Sequence, residues 1–303
     1  MTHKVLIDCD PGHDDAIALL LALASPELEL AGVTTVSGNQ VVEKTTANAR
    51  KVLELAGRGE VPVARGADRP LVRDRFVAAY VHGESGLDGP QLPDPEEREI
   101  DQHAVDFLAE RIDGATLVAV GPLTNVALLL ARYPEARPER VVIMGGSIAE
   151  GNVTPAAEFN VWADPEAARR VFGSGLDLTM IGLDVTHKAR MTRAHAERLR
   201  DEGRVGRAVA ELWDFFSGYH RETYGSEDSP IHDALCVALL LRAELVELAH
   251  RHVAIETESE LCRGRTVVDL WRRTGNEPNA HVGVGVDGGA FMELLIERLT
   301  TLG

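Results

Sequence analysis

The chain of 303 residues carries 31 Lys and Arg against 48 Asp and Glu, a formal net charge of −17, and 45% of its residues are apolar. That is enough apolar side chain for a sizeable core, and the acidic excess argues against a surface for nucleic-acid backbone or anionic membrane. Three cysteines, Cys9, Cys236 and Cys262, are an odd number, widely separated and without a CxxC pair, so neither a disulfide framework nor a zinc site is indicated; buried free thiols in a reducing compartment are expected.

Met1 to Lys4 run straight into the first strand, leaving no room for a signal peptide. The longest apolar helix core, Ala16 to Ala24, is too short for a bilayer, so a cytoplasmic protein without a membrane partner is expected. Val5, Leu6 and Ile7 read as a buried strand that stops at Pro11-Gly12, a pair that breaks both strand and helix. Asp8, Asp10, Asp14 and Asp15 crowd that break, and the apolar helix AIALLLALA follows at once. A helix cap accounts for one aspartate, not four. Carboxylates this close repel one another, and a hard divalent cation would keep them ionised.

LELAGVTTVSG reads as a second strand ending at Ser37-Gly38-Asn39, VVEKTTANARKVLELAG as an amphipathic helix stopped by Gly57, and VPVARG as a short strand. The acidic, Pro-rich stretch Asp88 to Glu99 reads as a surface loop. A helix over His103 to Ile112, the strand TLVAV, a helix PLTNVALLLARY opened by Pro122 and the strand RVVIMGG follow. PEAARRVF (helix), LDLTMIGLD (strand), RAHAERLRDEG (helix) and a helix from Val205 to about Tyr219 continue the pattern. SPIHDALCVALLL puts His232 and Asp233 at a helix start, HVAIET, RTVVDL and VGVGVD are short strand candidates, and Phe291 to Leu299 close the chain as a helix. This alternation predicts an α/β fold: residues 1–303 as a single domain with a mostly parallel, doubly wound central sheet and helices on both faces. Ligands of such sheets bind beyond the carboxyl ends of the strands. Asp8, Asp10, Asn39, Val120 and Met144 to Gly146 all fall at such ends and converge on one rim. Aspartate oxygens with no paired Cys or His suit calcium or magnesium, and a loose shell favours calcium.

The segment DCDPGHDDA resembles the N-terminal signature of the inosine-uridine nucleoside hydrolase family, enzymes that cleave the N-glycosidic bond of ribonucleosides with a bound calcium ion. VSGN, HGESG, VGPLTN, MGG, EGNVTPAAEFN and IHDA match further family segments in order, across nearly the whole chain. The resemblance implies a calcium held by Asp10, Asp15, the backbone carbonyl of Val120, and Asp233. It implies Asp10 as the base that deprotonates water and His232 as the group assisting the leaving base, with His82 lining the same pocket. Asp14, Asn39 and Asn160 would hold the 2′ and 3′ hydroxyls of the ribose, and Asn152 and Glu158 the 5′ hydroxyl. Phe216, His220 and Tyr224, at i, i+4 and i+8, share a helix face that is either core or one wall of a nucleobase pocket. Ala234 stands where many members have Pro, without removing a ligand. The expected partner is a small ribonucleoside, purine or pyrimidine, and the expected assembly a homo-oligomer, dimer or tetramer.

Two other readings stand beside this one. Haloacid-dehalogenase-like phosphatases also place DxD after their first strand, but here Pro-Gly-His-Asp-Asp follows it. A non-catalytic, calcium-stabilised nucleoside or ribose binder would keep Asp15 and Asp233 and could dispense with Asp10 and His232.

Overall fold

Val5, Ile7 and Cys9 alternate with Leu6 and Asp8 along strand β1 (His3–Cys9), and all five are fully buried. A strand covered on both faces requires this. In the computed structural model, which describes residues 2–303, β1 turns at Pro11-Gly12 into α1 (His13–Leu23). β2 (Leu28–Thr35), α2 (Val42–Leu55) and β3 (Val63–Arg65) follow. After the single turn α3 (Ala79–His82) and an irregular stretch come α4 (Ala104–Arg111), β4 (Thr116–Ala119), α5 (Thr124–Arg132) and β5 (Arg140–Met144). Next are α6 (Phe159–Ala163), α7 (Pro165–Phe172), β6 (Leu178–Ile181) and α8 (Leu183–Thr186). A two-stranded ribbon of β7 (Arg190–Met191) and β8 (Ser229–Pro230) brackets α9 (Arg193–Arg200) and α10 (Gly203–Tyr224). The chain ends through α11 (Ala234–Leu241), β9 (Val246–Arg251), a ribbon of β10 (Val253–Ile255) and β11 (Thr266–Val268), β12 (Ala280–Val286) and α12 (Gly288–Leu299).

The central sheet has eight strands in the order β3-β2-β1-β4-β5-β6-β12-β9. Only β9 runs antiparallel, against β12. The chain winds outward from β1 in one direction to β3 and returns on the other side at β4, so a crevice opens between the carboxyl ends of β1 and β4. Two apolar layers cover the sheet. Leu19, Trp213, Leu235 and Phe291 lie in one, from α1, α10, α11 and α12; Phe107, Val126 and Val171 lie in the other, from α4, α5 and α7. The mostly parallel, doubly wound sheet is thus the one the alternation predicts.

The differences from expectation are local. β9 was not foreseen, because VELAHR buries Val246 and little else at the sheet edge. Two of the three C-terminal strand candidates, HVAIET and RTVVDL, leave the central sheet to form the ribbon β10-β11. Helix α10 runs past Tyr219 to Tyr224 and stops at Gly225, whose φ of 71° lies in the left-handed region that favours glycine. Helix α5 starts at Thr124, two residues beyond Pro122. Cys9 and Cys236 are buried free thiols, whereas Cys262 is half-exposed. Among the described residues, no helix is long and apolar enough to cross a membrane.

Candidate active site

Asp10 follows the end of β1, and its carboxylate is clamped by backbone. Oδ2 accepts a 2.6 Å hydrogen bond from Asn39 N, while Oδ1 is buried without a protein partner. The clamp exists because Gly38 and Gly121, after β2 and β4, carry no side chain. A Cβ on Gly38 would lie 2.1 Å from Oδ2, and one on Gly121 would lie 2.5 Å from Oδ1. Behind Asp10, Asp8 accepts from Thr34 Oγ1 at 2.6 Å and Asn125 Nδ2 at 2.8 Å, which ties β1 to β2 and α5.

Asp15 turns back over the loop that opens α1. Its Oδ1 accepts from Asp10 N at 3.1 Å, and its Oδ2 from Gly12 N at 2.9 Å and Asn39 Nδ2 at 3.0 Å. Asp233 occupies the N-cap position of α11, yet its side chain caps nothing. It faces α1 instead. One carboxylate oxygen each from Asp14, Asp15 and Asp233 falls within 4.8 Å of the others, all three residues being buried. Asp14 is therefore part of the convergence point together with the expected Asp15 and Asp233. Asp10 stands just outside it, close enough that its charge acts on Asp233.

So many buried carboxylates are held away from their ordinary protonation. Burial, followed by the charge of Asp15, pushes Asp10 well above the usual carboxylate range and Asp14 up to about 8. Burial, then Asp14 and Asp15, pushes Asp233 well above it, and burial alone raises Asp15 against four opposing hydrogen bonds. Asp8 rises to about 6 by burial. Among the described residues, no Lys, Arg or His side chain hydrogen-bonds or ion-pairs with Asp10, Asp14, Asp15 or Asp233. An all-oxygen donor set, a shared point within 4.8 Å and an unpartnered Asp10 Oδ1 fit a hard divalent ion.

The cluster opens into a cavity of about 300 Å³. Asp14, Asn39, His82, Val120, Asn152, Glu158, Asn160, His220, Tyr224, His232 and Asp233 all line it, so these candidate residues are brought together; Asp10 and Asp15 are buried and do not line it. Glu158 caps α6: Oε1 accepts from Asn160 N at 2.8 Å, Oε2 from Gly146 N at 2.8 Å and Val161 N at 3.1 Å. Burial still lifts its carboxyl to about 7. Asn160 Nδ2 reaches across to the carbonyls of Val120, at 2.8 Å, and Met144, at 3.1 Å. Asn152 Oδ1 accepts from Phe159 N at 2.9 Å, so Asn152 also holds its loop closed.

The other end of the cavity is built from rings. His232 Nδ1 pairs with Thr186 Oγ1 at 2.7 Å, and its ring meets His187 edge-on with centroids 5.6 Å apart. Burial, with the charges of His187, His220 and Arg190, holds His232 well below the usual histidine range, and burial takes His220 down to about 4. His82 stacks on His13 and Phe216, and its Nδ1 lies 3.0 Å from His13 Nδ1. The α10 face carries Phe216, His220 and Tyr224, so it is a cavity wall. Sequence reasoning missed Tyr80, Tyr219, His187 and Arg190 on the same cavity. Tyr219, three residues after Phe216, and Tyr80, two residues before the HGESG segment, lie close enough to those signals to have been found; Arg190 sits on a two-residue strand with no pattern of its own.

These features agree with what the chain matches. The model of the family "Inosine-uridine preferring nucleoside hydrolase" matches residues 5–293. The chain is 51% identical to the pyrimidine-specific ribonucleoside hydrolase RihA of Klebsiella pneumoniae over 99% of both chains. It is likewise 51% identical to RihA of Salmonella typhi, again over 99% of both. Among solved structures it is similar to a purine-preferring ribonucleoside hydrolase from Gardnerella vaginalis, with a TM-score of 0.93 and 34% identity over 99% of this chain and 98% of that one. The plant nucleoside hydrolase PpNRh1 aligns with a TM-score of 0.92 and 34% identity over 99% of each chain. The chain belongs to the inosine-uridine preferring nucleoside hydrolase family and is a ribonucleoside hydrolase, an enzyme of N-glycosyl bonds.

Proposed function

We propose that the enzyme binds calcium at the carboxylate cluster, uses Asp10 as general base and prefers pyrimidine ribonucleosides. The observation that carries the metal is the convergence of Asp14, Asp15 and Asp233 beside the unpartnered Asp10 Oδ1. Asp14, Asp15 and Asp233 would hold the ion at their convergence point, with Asp10 and the Val120 carbonyl beside it as the further expected ligands. Bound there, calcium supplies the positive charge that keeps these carboxylates ionised and acidifies a nearby water. Asp10 accepts that water's proton, a role suited to a carboxylate whose one oxygen is fixed by Asn39 and whose other has no protein partner. Asp14, Asn39 and Asn160 grip the 2′ and 3′ hydroxyls, and Glu158 with Asn152 the 5′ hydroxyl. As the C1′–N bond breaks, positive charge builds on the sugar and the carboxylate-rich wall stabilises it.

His232, oriented by Thr186, offers its other ring nitrogen to the departing base, which the α10 rings enclose. Preference for pyrimidines is supported by 51% identity with a pyrimidine-specific relative against 34% with a purine-preferring one. The test is free-ribose release from uridine, cytidine, inosine and adenosine, with and without chelator, alongside elemental analysis of protein purified without added metal. About one calcium per chain and faster turnover of the pyrimidines are expected. Full activity in metal-free protein would remove the calcium, and equal turnover of purines would remove the base preference.

A further inference from the structure

The cavity contains a single Arg or Lys among its lining residues, Arg190. It enters on β7, whose partner β8 pairs Arg190 with Pro230, two residues before His232. The guanidinium thus stands at the base end, beside His187, His220 and His232, and away from the carboxylates that face the ribose. Its Nη2 donates to the Asp228 carbonyl and, at 3.4 Å, to Ser226 Oγ. Nε and Nη1 have no protein partner among the described residues. None of the proposed steps uses them.

We infer that Arg190 is a specificity-determining residue that selects pyrimidines with a carbonyl at C4, the uridine class, over those with an amino group at C4, the cytidine class. A guanidinium only donates hydrogen bonds, so it pairs with a carbonyl oxygen and cannot pair with an amino group. The preference strengthens during reaction. When the C1′–N1 bond breaks, its electron pair leaves on the base; in uracil that negative charge reaches O4, whereas in cytosine it reaches O2 and N3 but not the amino nitrogen at C4. A fixed positive donor gains interaction with such an oxygen as charge develops there. Around it stand His187, His220 and His232, held below their usual range by burial and by Arg190 itself, with the Glu150 carboxylate also close enough to act on His187. Among the described residues that line the cavity, Arg190 is the one fixed positive donor.

This inference rests on the nucleoside-hydrolase chemistry proposed above, and the experiment separates the two. Arg190→Met removes the donors, and Arg190→Gln supplies a donor together with an amide oxygen that accepts from an amino group. Steady-state kcat/KM is measured on uridine and cytidine for both variants and the native enzyme, with folding checked by thermal melting. Arg190→Met is expected to lower kcat/KM on uridine roughly ten- to hundredfold and on cytidine by less than about threefold. Arg190→Gln is expected to move the ratio further towards cytidine. Loss of the same factor on both substrates in both variants would overturn the inference, leaving Arg190 as an anchor for Ser226 and Asp228. Native enzyme that turns over neither nucleoside would overturn the proposed chemistry, and the inference with it.

Discussion

Substituting Gly121 by alanine tests whether the position of the Asp10 carboxylate, and not only its presence, drives the reaction. The new Cβ would lie 2.5 Å from Asp10 Oδ1 and 3.0 Å from Val36 Cγ1, so the carboxylate must retreat by about an ångström to reach ordinary contact. Neither Gly121 nor Gly38 has a left-handed φ, so contact alone is the penalty. Overpacking of this kind costs about 1–3 kcal/mol, and larger domains lose roughly 2–4 °C of Tm per kcal/mol. A fall of about 2–12 °C is expected. Displacing a reacting group by an ångström costs about a hundredfold in rate, so kcat should fall by that order while KM moves little. Gly218→Ala, inside α10 with nothing within 4 Å of its new Cβ, serves as the control and should be neutral or slightly stabilising. The assay is kcat on uridine, calcium content and a thermal melt for the three proteins. A Gly121→Ala enzyme with kcat within threefold of native and an unchanged Tm would refute the clamp.

Asp10→Asn keeps an oxygen and the bond from Asn39 N but cannot accept a proton, so kcat should fall by about a hundred- to ten-thousandfold; a folded, metal-loaded variant with near-native kcat would take Asp10 out of the mechanism. A nucleoside 5′-monophosphate should be a poor substrate, because its doubly charged group would meet Glu158 in an acidic pocket; comparable kcat/KM for uridine and its monophosphate would contradict this. His13 is buried with Nε2 on the Asp88 carbonyl, and burial lowers it to about 4. The unfolded chain takes up that proton near pH 6.5 and the folded chain only near pH 4, so stability from neutral His13 is lost as pH falls through that window, by about 3 kcal/mol in all. Urea unfolding at pH 7 and pH 4 should show native protein losing about that much relative to His13→Asn, and parallel pH dependence of the two would sink the claim.

The sequence was most legible where one element carried its own signal. β1 followed by Pro11-Gly12 and the apolar α1 is a strand, a break and a helix between His3 and Leu23, and the aspartates around the break stand out because caps do not need so many. The sheet followed from repetition of that unit. β9 was illegible because an edge strand buries one face poorly, and VELAHR has no alternation to read. β7 and β8, two residues each, have no period at all, so Arg190 was invisible. The end of α10 was misplaced because the polar run His220 to Thr223 dilutes the helical pattern, although Gly225 marks the stop. Asp14 was set on the ribose alone; its place in the carboxylate triad depends on how α1 packs against α11, contacts between segments over two hundred residues apart.

The packing of α1 on α11 also explains how the fold tolerates its acidic cluster. Asp14 and Asp15 lie in the first turn of α1, and Asp233 at the N-cap of α11. Both helices therefore aim their N-termini, with unpaired N–H groups and the positive end of the backbone dipole, at the same carboxylates. That partial compensation is worth about 0.3–1 kcal/mol for each charge, too little to ionise a buried group pushed to about 8. The backbone can assemble the site but cannot charge it. In the proposed reaction the remaining charge comes from a cation, and the ribose end of the cavity then becomes the place where a developing positive sugar is favoured. The base end, with neutral rings and Arg190, favours the electrons that leave. In that proposed reaction the two ends of one cavity lie along the direction in which the glycosidic bond separates charge, with two helix starts on one side and a two-residue strand on the other.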